Sequence, residues 1–175
     1  MNIILDAKQI EIALSDLTDR ITSDIPHKMD IVVIGIRTRG EILAQRLSER
    51  LSAKLGKPIS CGTLDITLYR DDLNDPQGDV QPTVRSTEIS FDICEKIIIL
   101  VDDVLYTGRT IRAALDAIID LGRPKAIKLA VLVDRGSREL PIQADYTACK
   151  IDIKPSQSVI VNLVETDQAE QVVVE

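Results

Sequence analysis

Asp102 and Asp103 follow the apolar run Ile97–Val101 and lead into Thr107-Gly108-Arg109-Thr110, in the string IILVDDVLYTGRT over 98–110. Two adjacent carboxylates at the end of a buried strand repel each other and add nothing to packing. They can accept hydrogen bonds from vicinal sugar hydroxyls or help to hold a divalent cation. Thr107, Gly108, Arg109 and Thr110 add hydroxyls, a glycine for close backbone approach and the first N–H groups of a helix, which together make a phosphate cradle. Neither GxxxxGK[ST] nor GxGxxG occurs in the chain, so this is neither a Walker loop nor a dinucleotide fingerprint. A second phosphate-type loop is Gly35–Gly40, GIRTRG, where Arg37, Thr38 and Arg39 converge before a helix start and suit a pyrophosphate. Thr38 and Glu41 also have the spacing of a capping box.

These residues need a frame. Ile10, Leu14, Leu17 and Ile21 recur at helical spacing over 7–23, and Leu43, Leu47, Leu51 and Leu55 mark a second helix ending near Gly56 and Pro58. A third helix runs from Thr110 to Leu121, closed by Gly122 and Pro124. Ile31–Ile36 and Ile97–Val101 are short runs apolar on both faces, Ile127–Val133 is a third strand, and 59–69 alternates through Leu64, Ile66 and Leu68. Ser158–Val164 and Val172–Val174 read as shorter strands. Strand–helix alternation of this kind predicts an α/β fold, a mostly parallel twisted sheet with helices on both faces. Ligands then bind beyond the carboxyl ends of the strands, where the aspartates and both loops fall. Residues 71–92 break the pattern with six acids, one arginine, Pro76, Gly78 and Pro82, and read as a long loop or hairpin tip. Asp134-Arg135-Gly136-Ser137-Arg138 follows another strand end on the same side of the sheet.

Composition narrows the field. At 175 residues with 45% apolar content, the chain supports a single domain with one sizeable core. No apolar run reaches the length of a membrane span, and MNIILDAKQIE lacks the basic start and cleavage site of a secretory signal. Three scattered cysteines and one histidine fit neither a disulfide framework nor a zinc centre, and predict a reducing, cytoplasmic setting with the cysteines as small apolar fillers. The net charge of −7 disfavours a protein whose main affinity is for a phosphate backbone. Four aromatic residues, Tyr69, Phe91, Tyr106 and Tyr146, are too few for a base-stacking platform.

The apolar strand, paired acids and Thr-Gly loop resemble the signature of the type I phosphoribosyltransferases. VDDVLYTGRT, with DITLYRDDL (65–73) and VDRGSRELP (133–141), is similar more narrowly to the bifunctional pyrimidine operon regulators that are also uracil phosphoribosyltransferases. Hypoxanthine-type relatives usually carry Asp where this chain has Tyr106. The resemblance implies one domain over 1–175 with a small hood and a flexible lid loop at about 70–92. It implies transfer of phosphoribose from phosphoribosyl pyrophosphate (PRPP) to uracil, giving UMP and diphosphate, with Mg²⁺ bound mainly through PRPP. Asp102, Asp103 and Arg70 are the implied catalytic residues, and Thr38, Arg39, Arg70, Asp102, Asp103, Tyr106, Thr107, Gly108, Arg109 and Thr110 the implied PRPP and UMP contacts. Val133, Asp134 and Arg138 are the implied base site, and a homo-oligomer, dimer or hexamer, the implied assembly. For Asp71 and Asp72 a lid and a solvated strand end both fit.

The same resemblance implies UMP-dependent binding of pyrimidine operon leader RNA, which leaves an alternative: an RNA-binding attenuator with weak residual enzyme activity. RNA-binding members carry basic residues and a histidine along the first helix, and a histidine after DRG. Here that helix carries Asp16, Asp19 and Asp24, and Ser137 follows DRG. Residues 1–30 hold six acids against three Lys or Arg, which repels phosphates. Five basic residues at 123–138 (Arg123, Lys125, Lys128, Arg135, Arg138) leave a reduced basic face.

Overall fold

Five parallel strands form the centre of the computed structural model, which describes residues 2–72 and 83–175. They are β2 (Ile31–Ile36), β3 (Cys61–Leu64), β4 (Ile97–Leu105), β5 (Ala126–Asp134) and β6 (Tyr146–Lys150), in the order β3-β2-β4-β5-β6. Side chains alternate across a strand, so Ile31 and Val33 of β2 join one core cluster while Val32, Ile34 and Ile36 join the other. Helices α1 (Ala7–Asp24) and α2 (Arg39–Leu55) cover the first face through Ile10, Leu14, Leu43 and Leu47. Helix α3 (Arg109–Leu121) covers the second through Ile111, Ala114 and Ile118. Each fully buried Leu or Ile contributes about 1.5–3 kcal/mol, so both faces are held by burial rather than by the ladder alone.

A separate antiparallel sheet, ordered β1-β8-β7, joins the chain's ends: β1 (Asn2–Asp6), β7 (Val159–Asn162) and β8 (Gln171–Val174). The single-turn helix α4 (Val164–Asp167) connects its last two strands. Arg46 of α2 grips Glu165 at 2.7 and 2.9 Å and Glu170 at 2.5 and 3.0 Å, tying this sheet to the main body.

Several expectations change. The run 59–69 is a strand only over Cys61–Leu64, because the Asp65 carboxylate accepts from Thr67 N and Oγ1 and from Arg85 N and turns the chain into a 3-10 turn, Thr67–Tyr69. Leu68 is consequently exposed. The capping box expected at Thr38 and Glu41 does not form: Thr38 has a helical backbone and no capping bond, and Glu41 pairs with Arg37 at 2.9 Å. One forms instead at α1, where Asp6 Oδ1 accepts from Gln9 N and Gln9 Oε1 from Asp6 N. Cys94 is exposed rather than a filler. Of the expected lid at about 70–92, residues 73–82 lie outside the described residues; Glu88 bridges back to Thr63 beside β3.

Candidate active site

Strand β4 carries its paired acids further in than the apolar run suggests. Its ladder with β5 continues past Val101, matching Asp102 to Val131 and Leu105 to Asp134. Asp102 is therefore buried, 6% exposed, and its Oδ1 accepts from Asp103 N at 3.0 Å, while Asp103 Oδ1 accepts from Val104 N at 2.8 Å. Burial, then the charge of Asp103, raises the Asp102 carboxyl well above the usual range. Burial also raises Asp103, opposed by the Val104 N–H and the positive charge of Arg39. Adjacent carboxylates, one buried and one half-buried, resist double ionisation until a cation or a hydrogen-bonding ligand arrives.

Two helix starts flank the pair. Gly108 takes φ +94°, a backbone open to glycine, and begins α3 with no side-chain cap. Arg109 N makes only a long bond to Thr107 Oγ1, at 3.3 Å, and the next N–H groups of α3 are left for a ligand, beside Thr107 and Thr110. Helix α2 begins at Arg39 with no side-chain cap either. Its Gly40 lies so close to β4 that a Cβ there would sit 2.6 Å from Val101 O and 3.3 Å from Asp102 Oδ1. Because β2 and β4 are adjacent, both uncapped starts stand at the carboxyl edge on either side of Asp102 and Asp103.

The arginines divide. Arg37 is structural, held by Glu41, Glu88 and Ser86 O. Arg39 pairs with Asp167 through Nη2 at 2.8 Å and Nε at 3.2 Å. Arg70 pairs with Asp72, and Arg109 with Asp71 at 2.7 Å and Glu139 at 2.6 Å. Arg70, Asp71, Asp72, Thr107, Arg109 and Thr110 line one cleft of about 270 Å³, so the root of the expected lid does meet the Thr-Gly loop.

The expected base site is a second cleft of about 540 Å³, walled by Asp134, Arg138, Leu140, Pro141, Ile142 and Lys150 among others. Val133 lies at the buried end of β5 beside it. Arg138 orders this region, pairing with Asp134 at 2.6 Å and donating to Tyr106 O, Gly136 O and Ile142 O. Glu139 N and Leu140 N both donate to Thr107 O, which fastens the segment after Asp134 to the Thr-Gly loop. Three residues were missed from sequence: Gly40, Asp167 and Arg135, whose buried guanidinium covers the Tyr106 ring at 3.9 Å. Gly40, closing the GIRTRG loop, and Arg135, inside the DRG string, each had a local signal; Asp167 is far from its partner in the chain.

Comparisons with known proteins show the family and the fold. A family model described as Phosphoribosyl transferase domain matches residues 1–169. The Bifunctional protein PyrR of Bacillus cereus (strain AH820) is 50% identical over 170 residues, 97% of this chain and 94% of that protein. PyrR of Bacillus velezensis is 46% identical over 172 residues, 98% and 95% of the two chains. Among solved structures, the hypoxanthine phosphoribosyltransferase of Trypanosoma cruzi matches with a TM-score of 0.73 at 19% identity, over 99% of this chain and 95% of that one. A hypoxanthine-guanine phosphoribosyltransferase of Bacillus anthracis matches at 0.71 and 18%, over 98% and 96%. At such identities these structures speak for the fold alone, and the fold is shared.

Proposed function

The chain belongs to the phosphoribosyl transferase domain family, and from that premise we propose that it is a uracil phosphoribosyltransferase of the bifunctional-regulator type, converting uracil and PRPP to UMP and diphosphate. The observation that carries this reading is the pair of buried Asp102 and half-buried Asp103 set between two uncapped helix starts. On this reading 1–175 is one phosphoribosyltransferase domain, cytoplasmic and homo-oligomeric, with the β1-β8-β7 sheet as its hood and residues about 70–92 as its lid.

Thr107, Gly108, Arg109 and Thr110 anchor the 5′-phosphate through the start of α3, and Thr38 with the start of α2 receives the diphosphate. Asp102 and Asp103 accept the ribose hydroxyls and stabilise the positive charge that grows on C1′ as the diphosphate departs. Arg70 at the lid root faces the leaving group, and closure of that segment keeps water from the cation. Uracil lies in the Asp134–Arg138 cleft, with the main chain near Val133 and Asp134 reading its edge and Tyr106 beside it. No protein nucleophile is needed, because positioning and electrostatics supply the rate. Asp102 and Asp103 fit Mg²⁺ held largely by substrate oxygens, because one or two carboxylates beside a phosphate ligand are its usual setting. When bound with PRPP, Mg²⁺ supplies charge neutralisation at the leaving diphosphate.

The second activity, on this reading, is UMP-dependent binding of leader RNA. It is supported by relatives named bifunctional and opposed on α1 by charge, since Asp16 and Asp19 are exposed there. To test the catalytic reading, the protein is mixed with PRPP, Mg²⁺ and equal amounts of uracil, hypoxanthine and guanine, and the nucleotides are separated. UMP is the expected product; faster formation of IMP or GMP would move the protein to the purine branch.

A further inference from the structure

Asp167 lies outside every local motif, in α4 at the edge of the β1-β8-β7 sheet, yet its carboxylate is one of the most firmly held side chains near the site. Its Oδ2 accepts from Leu163 N at 3.0 Å and Thr166 Oγ1 at 2.7 Å, and its own N–H donates to Leu163 O at 2.7 Å. Held in this way, it takes the Nε and Nη2 of Arg39 as a fork, at 3.2 and 2.8 Å. Arg39 opens α2 and is followed by Gly40, which touches the end of β4 at Asp102. The third guanidinium nitrogen, Nη1, makes no hydrogen bond among the described residues.

We propose that Asp167 is a positioning residue for PRPP: from the second sheet it fixes the Arg39 guanidinium so that its free Nη1 meets the diphosphate beside Asp102 and Asp103. This rests on the functional reading above. An unrestrained arginine at a solvent-facing helix start samples many rotamers, whereas a two-bond fork to a fixed carboxylate sets both the plane and the reach of the guanidinium. Docking of the second sheet does not require this pair, because Arg46 already joins it to α2 through Glu165 and Glu170. Those carboxylates touch no residue of the proposed site, which makes Glu165 a matched control.

The test measures PRPP binding directly, in the presence of Mg²⁺ and without uracil, by titration calorimetry on the full chain, together with steady-state UMP formation. The wild type, Asp167→Asn, Asp167→Glu and Glu165→Gln are compared well below their melting temperatures. Asp167→Asn is expected to weaken PRPP binding and raise its KM about tenfold, the scale of one charge-assisted contact, with the KM for uracil within about twofold. Asp167→Glu should recover part of the loss, and Glu165→Gln should bind as the wild type. PRPP affinity of Asp167→Asn equal to that of Glu165→Gln would overturn the proposal, as would a parallel rise in both KM values with no recovery by Asp167→Glu. A wild type that binds PRPP but makes no UMP would instead refute the uracil reading, and the binding series would still decide the role of Asp167.

Discussion

The Arg135 guanidinium lies over the Tyr106 ring, 3.9 Å from its centroid, where the turn after β5 meets the Thr-Gly loop. The pair is set by the backbone, since Arg135 N donates to Leu105 O at 3.0 Å. It joins the end of β4 to the turn that follows β5.

Stacking requires the ring and not the hydroxyl. Tyr106→Phe is predicted to keep stability and uracil transfer near wild type. Tyr106→Ala should lose about 0.5–2 kcal/mol and loosen the base cleft, raising the KM for uracil more than that for PRPP. Denaturant melts and paired KM measurements check this; equal effects of the two substitutions would show that the hydroxyl matters instead.

The raised carboxyl of Asp102 has a stability consequence with a definite sign. A carboxyl whose value rises on folding contributes its stability fully below its unfolded value and loses it as pH increases. Asp102→Asn keeps the Oδ1 acceptor for Asp103 N and removes the charge. It should therefore melt at or above the wild-type temperature near neutral pH, with a gain of about 1 kcal/mol or less. Scanning calorimetry at about pH 7 and about pH 4 should show the gain shrinking at the lower pH. A variant that melts markedly below wild type at neutral pH would show that the charge is stabilising.

Asp167 behaves oppositely. Its carboxyl is lowered from 3.8 to about 2, first by Arg39, then by the Leu163 N–H and the Thr166 hydroxyl. Such a group stabilises above its unfolded value and ceases to do so as pH falls through the folded one. Between about pH 4 and 2, wild type should lose stability more steeply than Asp167→Asn. Arg39 is partly exposed, so the difference is about 1 kcal/mol or less. Parallel acid limbs in urea melts would contradict this.

RNA affinity should be weak and steeply salt-dependent. Asp16 pairs with Arg20, and Asp19 with Lys54, but both acids remain more than half exposed on α1. Asp24 is different, because it accepts the hydroxyl of buried Tyr146 at 2.6 Å and is best left intact. Replacing Asp16 and Asp19 with Lys should raise leader-RNA affinity and steepen the salt slope by about 0.7–0.9 for each new phosphate contact, with UMP formation unchanged. Tight, UMP-dependent filter binding by the unmodified chain at physiological salt would put the RNA face elsewhere, with 123–138 the first segment to test.

What sequence reveals here is what is local. The runs Ile31–Ile36 and Ile97–Val101 announce buried parallel strands because they are apolar on both faces, and Thr107–Thr110 announces a helix start because glycine there opens the backbone before an apolar helical repeat. Alternation through Leu64, Ile66 and Leu68 misleads because one side chain, Asp65, takes the backbone donors that a longer strand would need. Arg39 reads as a free phosphate ligand in its own loop; only folding brings Asp167 to two of its nitrogens. Gly40 looks like any helix-start glycine until Val101 and Asp102 are seen against it.

The most direct measurement of the central claim is the balance of products from uracil, PRPP and Mg²⁺ with the wild type and with the Asp102→Asn, Asp103→Asn double variant. The wild type should release UMP and diphosphate in equal amounts, and the folded double variant should release neither above background. Near-normal turnover by the double variant, or diphosphate release by the wild type without UMP, would contradict the account.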